Sequence, residues 1–394
     1  MSYCSLENID DFQLNNLEVL NLHQNFSSAL QRLPDFPKLK QLSLTYNKIN
    51  DLQFISHFTQ LTKLNVSNGK IKILKLPESL VNLEELNLSK NQIVDISSLK
   101  QFVKLTQLDL SQNKYIKNIS TLSNLVNLKE LNISNNKIAV ISHLQNLTQL
   151  TKFDISENNV LNIKILKNLV NLEELDLSCN RCADITPLQH LCKLTKLYIR
   201  QNNILDIQPL SKLTNLQNLD LSENQNIDIT PIQYLVNLKS LYLHDCNLYE
   251  ISALRPLVKL EELDICNNQI IYVLPLKGKQ LKYLDYCINN NMILDPTQIY
   301  FRNFFHTFYN YEILSQSQRQ ATKEQMNLAN KMNTIDTTTT LLRSQRKPSF
   351  MQNALNVSKL QVSKNLQNMQ YNLIQFTQNV VQLFVSLNSF SQFE

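Results

Sequence analysis

Aliphatic residues return along this chain with a fixed period of 22. The pattern L-x-x-L-x-L-x-x-N opens at Leu17, Leu39, Leu61, Leu83, Leu105, Leu128, Leu150, Leu172, Leu194, Leu216, Leu238, Leu260 and Leu281. Only two intervals depart, one of 23 residues and one of 21. The unit at residues 83–104 shows what one period encodes. Leu86 and Leu88 alternate with Glu85, Asn87 and Ser89, a period of two that predicts a short strand with leucines inward. Asn91 opens a turn. Ile93, Ile96, Leu99 and Phe102 then follow at intervals of three, which suits a short helical or 3₁₀ segment on the opposite side. One such unit cannot cover its own leucines, so neighbouring units must stack.

Stacking predicts an α/β fold: a curved solenoid with a parallel sheet on its concave face and short helical or 3₁₀ segments on its convex face. Residues 17–293 form this solenoid. Thirteen strands at about 4.8 Å spacing give a sheet on the order of 60 Å along its inner arc. A column of turn asparagines, from Asn25 and Asn47 to Asn268 and Asn289, supplies amides for backbone groups exposed where each strand bends away. Gly69 and Cys246 stand in that column instead, and Cys246 reads as structural.

The ends need covering. Residues 1–16, with Ile9, Phe12 and Leu14, read as an N-terminal cap. At 294–311, Asp295-Pro296-Thr297-Gln298 reads as a helix start. Phe301, Phe304, Phe305 and Phe308 then share one helical face and read as the C-terminal cap. Residues 312–359 read as a polar linker with a weak helix. A helical tail at 360–394 carries an apolar seam from Val362 to Phe390 at alternating intervals of four and three, the pattern of a coiled coil. That seam can fold back on the solenoid, self-associate through 362–390, or take a partner helix.

Composition narrows the function. The chain has two glycines, Gly69 and Gly278, so neither a dinucleotide fingerprint nor a phosphate-binding loop can be written. No nucleophile elbow, metalloprotease helix or paired-carboxylate cleft appears, so no enzyme activity and no cofactor are expected. The net charge of +5 is spread without a long basic run, which argues against nucleic acid. No apolar run is long enough for a membrane span. The polar, acidic start and seven unpaired-looking cysteines lead us to expect a cytoplasmic protein.

Positions 3, 5 and 7 of each repeat should face the concave side. Read down those columns, acids outnumber bases: Glu85, Asp109, Glu130, Asp154, Glu174, Asp176, Asp220, Glu262, Asp264 and Asp285 against Lys63, Lys152, Lys196 and Arg200. Such a face would steer toward a basic partner. Position 7 is serine in seven repeats and becomes Arg200, His244, Cys266 and Cys287 late in the chain; position 5 becomes Tyr198 and Tyr242. Tyr and Arg are enriched at binding hot spots. The expected protein-binding site is therefore Tyr198, Arg200, Tyr242 and His244, with Asp220, Glu223, Asp245, Glu262 and Asp264 as its charged members. A tetrahedral zinc site can be drawn from His244, Cys266 and Cys287 with Asp245 or Asp264. Zinc sites use tight local spacing, however, and no metal is expected on that ground.

The 22-residue unit, followed by D-I-S or D-I-x-P-L (Asp95-Ile-Ser, Asp184-Ile-Thr-Pro187, Asp206-Ile-Gln-Pro209), resembles one class of leucine-rich repeat. That class is shared by regulatory subunits of type 1 protein phosphatase, with related ciliary and cytoskeletal proteins, and by bacterial internalins. The resemblance implies a non-catalytic scaffold that binds a protein through its concave face. A phosphatase regulatory subunit, or a structural oligomer assembled through its tail, are the alternatives. Phosphatase-binding relatives use aromatic and acidic concave residues, and Tyr198, Tyr242 and Glu223 are similar in kind.

Overall fold

A computed structural model of the chain describes residues 14–25, 30, 33–287 and 289. The expected C-terminal cap, linker and heptad tail lie outside these residues, as does all but 14–16 of the N-terminal cap. The described residues form thirteen three-residue strands hydrogen-bonded in strict chain order into one parallel sheet. They are β1 (Val19–Asn21), β2 (Gln41–Ser43), β3 (Lys63–Asn65), β4 (Glu85–Asn87), β5 (Gln107–Asp109), β6 (Glu130–Asn132), β7 (Lys152–Asp154), β8 (Glu174–Asp176), β9 (Lys196–Tyr198), β10 (Asn218–Asp220), β11 (Ser240–Tyr242), β12 (Glu262–Asp264) and β13 (Tyr283–Asp285). The returning side of each repeat is 3₁₀ helix or turn, as at Ser97–Gln101 and Gln208–Lys212, and no α-helix occurs among the described residues. None of their helices is long and apolar enough to cross a membrane.

The register places like on like. Leu86 lies beside Leu108 and Asn87 beside Asp109, and the same holds from β1 to β13. Residues a whole period apart in sequence are therefore side by side in space. Leucines at positions 1, 4 and 6 form one continuous core, with Leu86 2% and Leu88 0% exposed. The 23-residue interval does not disturb this. Its extra residue is absorbed just after Asn113, where Lys114 takes φ 66°, and Leu108 still pairs with Leu131. The 21-residue interval closes through Gly278 at φ 81°, a left-handed turn that glycine enters without steric cost.

The asparagine column holds the repeats together. The Asn113 amide donates to the Leu110 carbonyl of its own repeat (2.9 Å) and to the Leu88 carbonyl of the previous one (3.2 Å). Its Oδ1 accepts the Ile93 N–H at 3.0 Å. Asn91, Asn158, Asn180 and Asn202 bridge their neighbours in the same way. At Cys246 a thiol reaches the corresponding Leu221 carbonyl at 3.4 Å. Burial there pushes the thiol up to about 12, so it stays a neutral donor. At Gly69 an added Cβ would sit 2.6 Å from Asn91 Oδ1, so a side chain there would require that amide to shift.

Immediately before each asparagine the backbone turns left-handed. Gln24, Tyr46, Asn68, Lys90, Gln112, Asn135, Glu157, Cys179, Gln201, Glu223, Asp245 and Asn267 all have φ between 51° and 58°. No glycine occupies this column, so every repeat carries a small conformational cost. On the convex side Asp51, Asp95, Asp184, Asp206 and Asp228 each accept the N–H two residues on, which starts the 3₁₀ turn. This is the physical content of the D-I-S motif.

Two stability outcomes follow from these columns. Asn113→Ala leaves buried carbonyls and one buried N–H without partners, and should cost about 2–4 kcal/mol in urea unfolding. A loss under about 1 kcal/mol would mean that water replaces the amide. Lys90→Gly relieves a left-handed residue and should stabilise by about 0.5–1 kcal/mol, whereas Lys90→Val should destabilise by about 1–2 kcal/mol.

Candidate protein-binding face

The residues at positions 3, 5 and 7 share one face of the sheet. A single concavity of about 670 Å³ is lined by Val19 at one end and Tyr198 at the other, so the sheet curves toward this face. The late repeats that carry Arg200, Tyr242 and His244 lie beyond Tyr198 along the same sheet.

Most of the charge on this face is already committed. The three position-3 lysines pair with glutamates on adjacent strands: Lys63 with Glu85 (2.7 Å), Lys152 with Glu130 (3.0 Å) and Lys196 with Glu174 (3.1 Å). Arg200 pairs with Glu223, its Nε 2.9 Å from Oε1. These are exposed pairs of small energetic weight. What they leave is the position-5 carboxylate column, in which Asp109, Asp154, Asp176, Asp220, Asp264 and Asp285 form no ion pair with Lys or Arg among the described residues. The acidic character of the face thus narrows to that column and to Glu262 at position 3, whose partners are the Ser240 and Tyr242 hydroxyls.

The column also has a structural task. In ten repeats the position-5 Asn or Asp accepts the position-7 N–H, as in Asn87 to Ser89 (3.0 Å), Asp176 to Ser178 (2.8 Å) and Asp220 to Ser222 (2.9 Å). A short acidic or amide side chain is needed to reach back, which is why this column is monotonous in sequence. At Asp109 the second oxygen accepts the Asn87 amide at 3.2 Å, and at Asp285 it accepts the Tyr283 hydroxyl at 3.3 Å. Burial, aided by Asp154 and Asp220, raises Asp176 above the ordinary carboxylate value.

Tyr198 and Tyr242 interrupt this device. A tyrosine cannot cap the next turn, and in both repeats position 7 changes too, to Arg200 and His244. The His244 N–H finds Ser222 Oγ at 3.2 Å in the neighbouring repeat. The register alternates these rings with acids: Asp176, Tyr198, Asp220, Tyr242, Asp264. Both rings are half-buried and Arg200 is exposed. Tyr242 donates from its hydroxyl to Glu262 Oε2 at 2.8 Å, and Ser240 donates to the same oxygen at 2.9 Å. Asp245 accepts from Gln225 Nε2 at 2.9 Å, at the turn. The nine expected site residues thus fall into an Arg200–Glu223 pair, a Tyr242–Glu262 pair, the capping Asp220 and Asp264, and Tyr198, His244 and Asp245. Sequence reading did not foresee the capping role or the lysine pairs, because both need the lateral register.

His244 has a further set of neighbours. Its ring lies with Asp264 and Cys266 in one group of metal-capable side chains, and Cys266, Asp285 and Cys287 form another. Asp245, an expected fourth ligand, is in neither group. Asp285 is the added member that sequence reading did not include.

Comparison with known proteins agrees with this architecture. A family model described as leucine-rich repeats in two copies matches residues 81–124, 148–190 and 192–234, and a single leucine-rich repeat matches 127–147. Within residues 81–234 the chain carries leucine-rich repeats. An internalin (InlF) of Listeria monocytogenes has a TM-score of 0.66 and 29% identity over 72% of this chain and 83% of that one. A leucine-rich-repeat protein of Leptospira interrogans has a TM-score of 0.57 and 23% identity over 70% and 79%. The ectodomain of the Arabidopsis thaliana receptor kinase GASSHO1/SCHENGEN3, in complex with CASPARIAN STRIP INTEGRITY FACTOR 2, has a TM-score of 0.54 and 19% identity over 70% and 45%. The last two likenesses are of fold alone. No curated protein sequence matches the chain.

The Tyr242–Glu262 contact has a titration signature. Burial first, and the hydrogen bond to Glu262 second, push the Tyr242 phenol up to about 12. The folded value exceeds the unfolded one, so the associated stability is intact below about pH 10 and is lost as pH rises toward the folded value. Glu262→Gln should move the phenol down, read from the tyrosine ring carbons by NMR titration. An unmoved phenol would leave burial as the whole cause.

Proposed function

We propose that this chain is a non-catalytic scaffold that binds a basic segment of a protein partner across the concave face of repeats nine to twelve. Leucine-rich-repeat proteins are in general protein-interaction modules, which is the coarse part of this reading. The finer part rests on one observation: the alternation of Tyr198, Asp220, Tyr242 and Asp264 across the four adjacent strands β9 to β12, flanked by Asp176 on β8. Ring faces attract cations and supply rigid contact area, while the intervening carboxylates attract the same cations. A Lys- or Arg-bearing segment crossing the strands would meet both in turn. Arg200 and Glu223 form the rim, and Asp245 closes it on the turn side. The thiols of this chain suit a reducing, cytoplasmic setting.

Affinity capture from native lysate tests this, comparing wild type with a Tyr198→Ala, Tyr242→Ala double variant that keeps its circular dichroism. Partners held by wild type should be lost from the variant, each ring contributing on the order of 2 kcal/mol, or about 30-fold in affinity. Raising the salt should weaken the wild-type complex, since the attraction is between charges. A phosphatase catalytic subunit among the lost partners would select the regulatory-subunit reading. An unchanged partner list would move the binding surface elsewhere on the chain.

A further inference from the structure

Repeats twelve and thirteen end their strands in cysteine, which occupies position 7 nowhere else among the described residues. Cys266 and Cys287 occupy position 7 of the last two repeats, beside His244 in repeat eleven. The registers of β11, β12 and β13 set these residues next to one another. Asp264 and Asp285 hold position 5 on the last two strands. Ligating atoms of His244, Asp264 and Cys266 all lie within 4.8 Å of one another, as do those of Cys266, Asp285 and Cys287. Cys266 is common to both groups and is 2% exposed. Its sulfur lies 2.7 Å from the Cys287 sulfur and 2.5 Å from Asp285 Oδ1, and it accepts the Cys287 N–H at 3.0 Å.

Charge and donor type distinguish this cluster from an ordinary acidic patch. The neighbouring Glu261 and Glu223 have cationic partners in Lys282 and Arg200, whereas neither Asp264 nor Asp285 has one among the described residues. Two carboxylates and two thiols therefore crowd together with one imidazole. Thiolate, imidazole and carboxylate are the donors that zinc takes in four-coordinate sites, with bonds of about 2.0–2.3 Å. Calcium and magnesium need six or more oxygens and are poorly served by two sulfurs.

We propose that Cys266, Cys287 and Asp285, whose ligating atoms all lie within 4.8 Å of one another, hold one zinc-class ion at the end of the described sheet, that His244, within 4.8 Å of Cys266, turns its ring to supply the fourth ligand, and that Asp264 fixes the turn from which Cys266 projects. Asp264 Oδ1 does this by accepting the Cys266 N–H at 2.9 Å. Binding releases the two thiol protons to solvent and involves no redox change. The ion ties three strands of the last repeats together across their free ends. Spacing of 21 and 22 residues looks unlike a metal motif, yet here one repeat period is one strand spacing, about 4.8 Å. The assignment makes His244 a metal ligand instead of a partner anchor. It stands whether or not the partner reading does, because the ion is measured with no partner present.

The test uses the reduced, chelator-treated full chain titrated with cobalt(II), then with zinc. Expected are thiolate-to-cobalt charge transfer with tetrahedral visible bands, displacement of cobalt by zinc at one ion per chain, and a zinc-dependent rise in melting temperature. Cys287→Ser, whose thiol is less buried than that of Cys266, should weaken binding by about 100-fold or more, and His244→Gln by about 10-fold or more. Cys192→Ser, an exposed thiol outside the cluster, should bind as wild type does. Three results would overturn the proposal: no thiolate band in the reduced wild type, a band that survives Cys287→Ser, or unchanged affinity in His244→Gln. A Cys266–Cys287 disulfide in protein purified without reductant, with no metal uptake after reduction, would overturn it in favour of a redox pair.

Discussion

The asparagine amide at the strand-to-turn corner is the contact on which this solenoid depends. A three-residue strand leaves its polar backbone pointing into the stack as soon as it bends, and the interior offers no water to satisfy it. One primary amide answers this with two donors and an acceptor, placed between the carbonyls of two successive repeats and the N–H of the preceding one. Hydrophobic burial drives the leucines together, but it is indifferent to how far one repeat slides over the next. The amide is not, since its partners lie at fixed residues on both sides. It converts a merely apolar stack into one with a defined register, and the left-handed residue before it is the conformational cost of aiming it inward.

Once the register is fixed, sequence periodicity becomes lateral distance. Position 3 of one repeat faces position 3 of the next, so Lys63 and Glu85, 22 residues apart, become an ion pair. Position 5 likewise becomes a carboxylate column. The same rule changes what counts as a motif. In a compact enzyme a metal site is built from residues a few places apart, with one distant member. Here three ligands can each come from a different repeat and still touch, because the solenoid folds distance in sequence into adjacency on the sheet. Cys266 and Cys287 are the clearest example.

The fold was legible in the sequence because its cause is periodic. Thirteen strands, their inward leucines and the asparagine column could all be placed by counting. The convex side was legible as three-residue spacing, and it resolved to 3₁₀ turns started by residues such as Asp95 and Asp184. Less of the concave face could be read. Its list of acids and bases was correct, yet the four bases turned out to be paired, and Asp220 and Asp264 turned out to be caps as well as charges. Those facts depend on which side chain reaches across to the next strand, and a single repeat does not contain that information. The closeness of Asp285 to Cys266 and Cys287 was not legible for the same reason.

Position 5 is where structure and function compete most directly. A short Asn or Asp there closes the strand end, and the residue two places on can be a small serine because its N–H is already satisfied. Tyrosine at position 5 gives up that closure. In repeats nine and eleven the loss coincides with larger residues at position 7, and in repeat eleven the freed N–H of His244 turns to Ser222 of the repeat before. Two positions have moved together away from what the scaffold prefers, twice, with a conventional Asp220 between them. Position 7 also departs from serine where position 5 keeps its cap, at His23, Cys266 and Cys287, so the larger position-7 residue does not by itself require the loss of that closure.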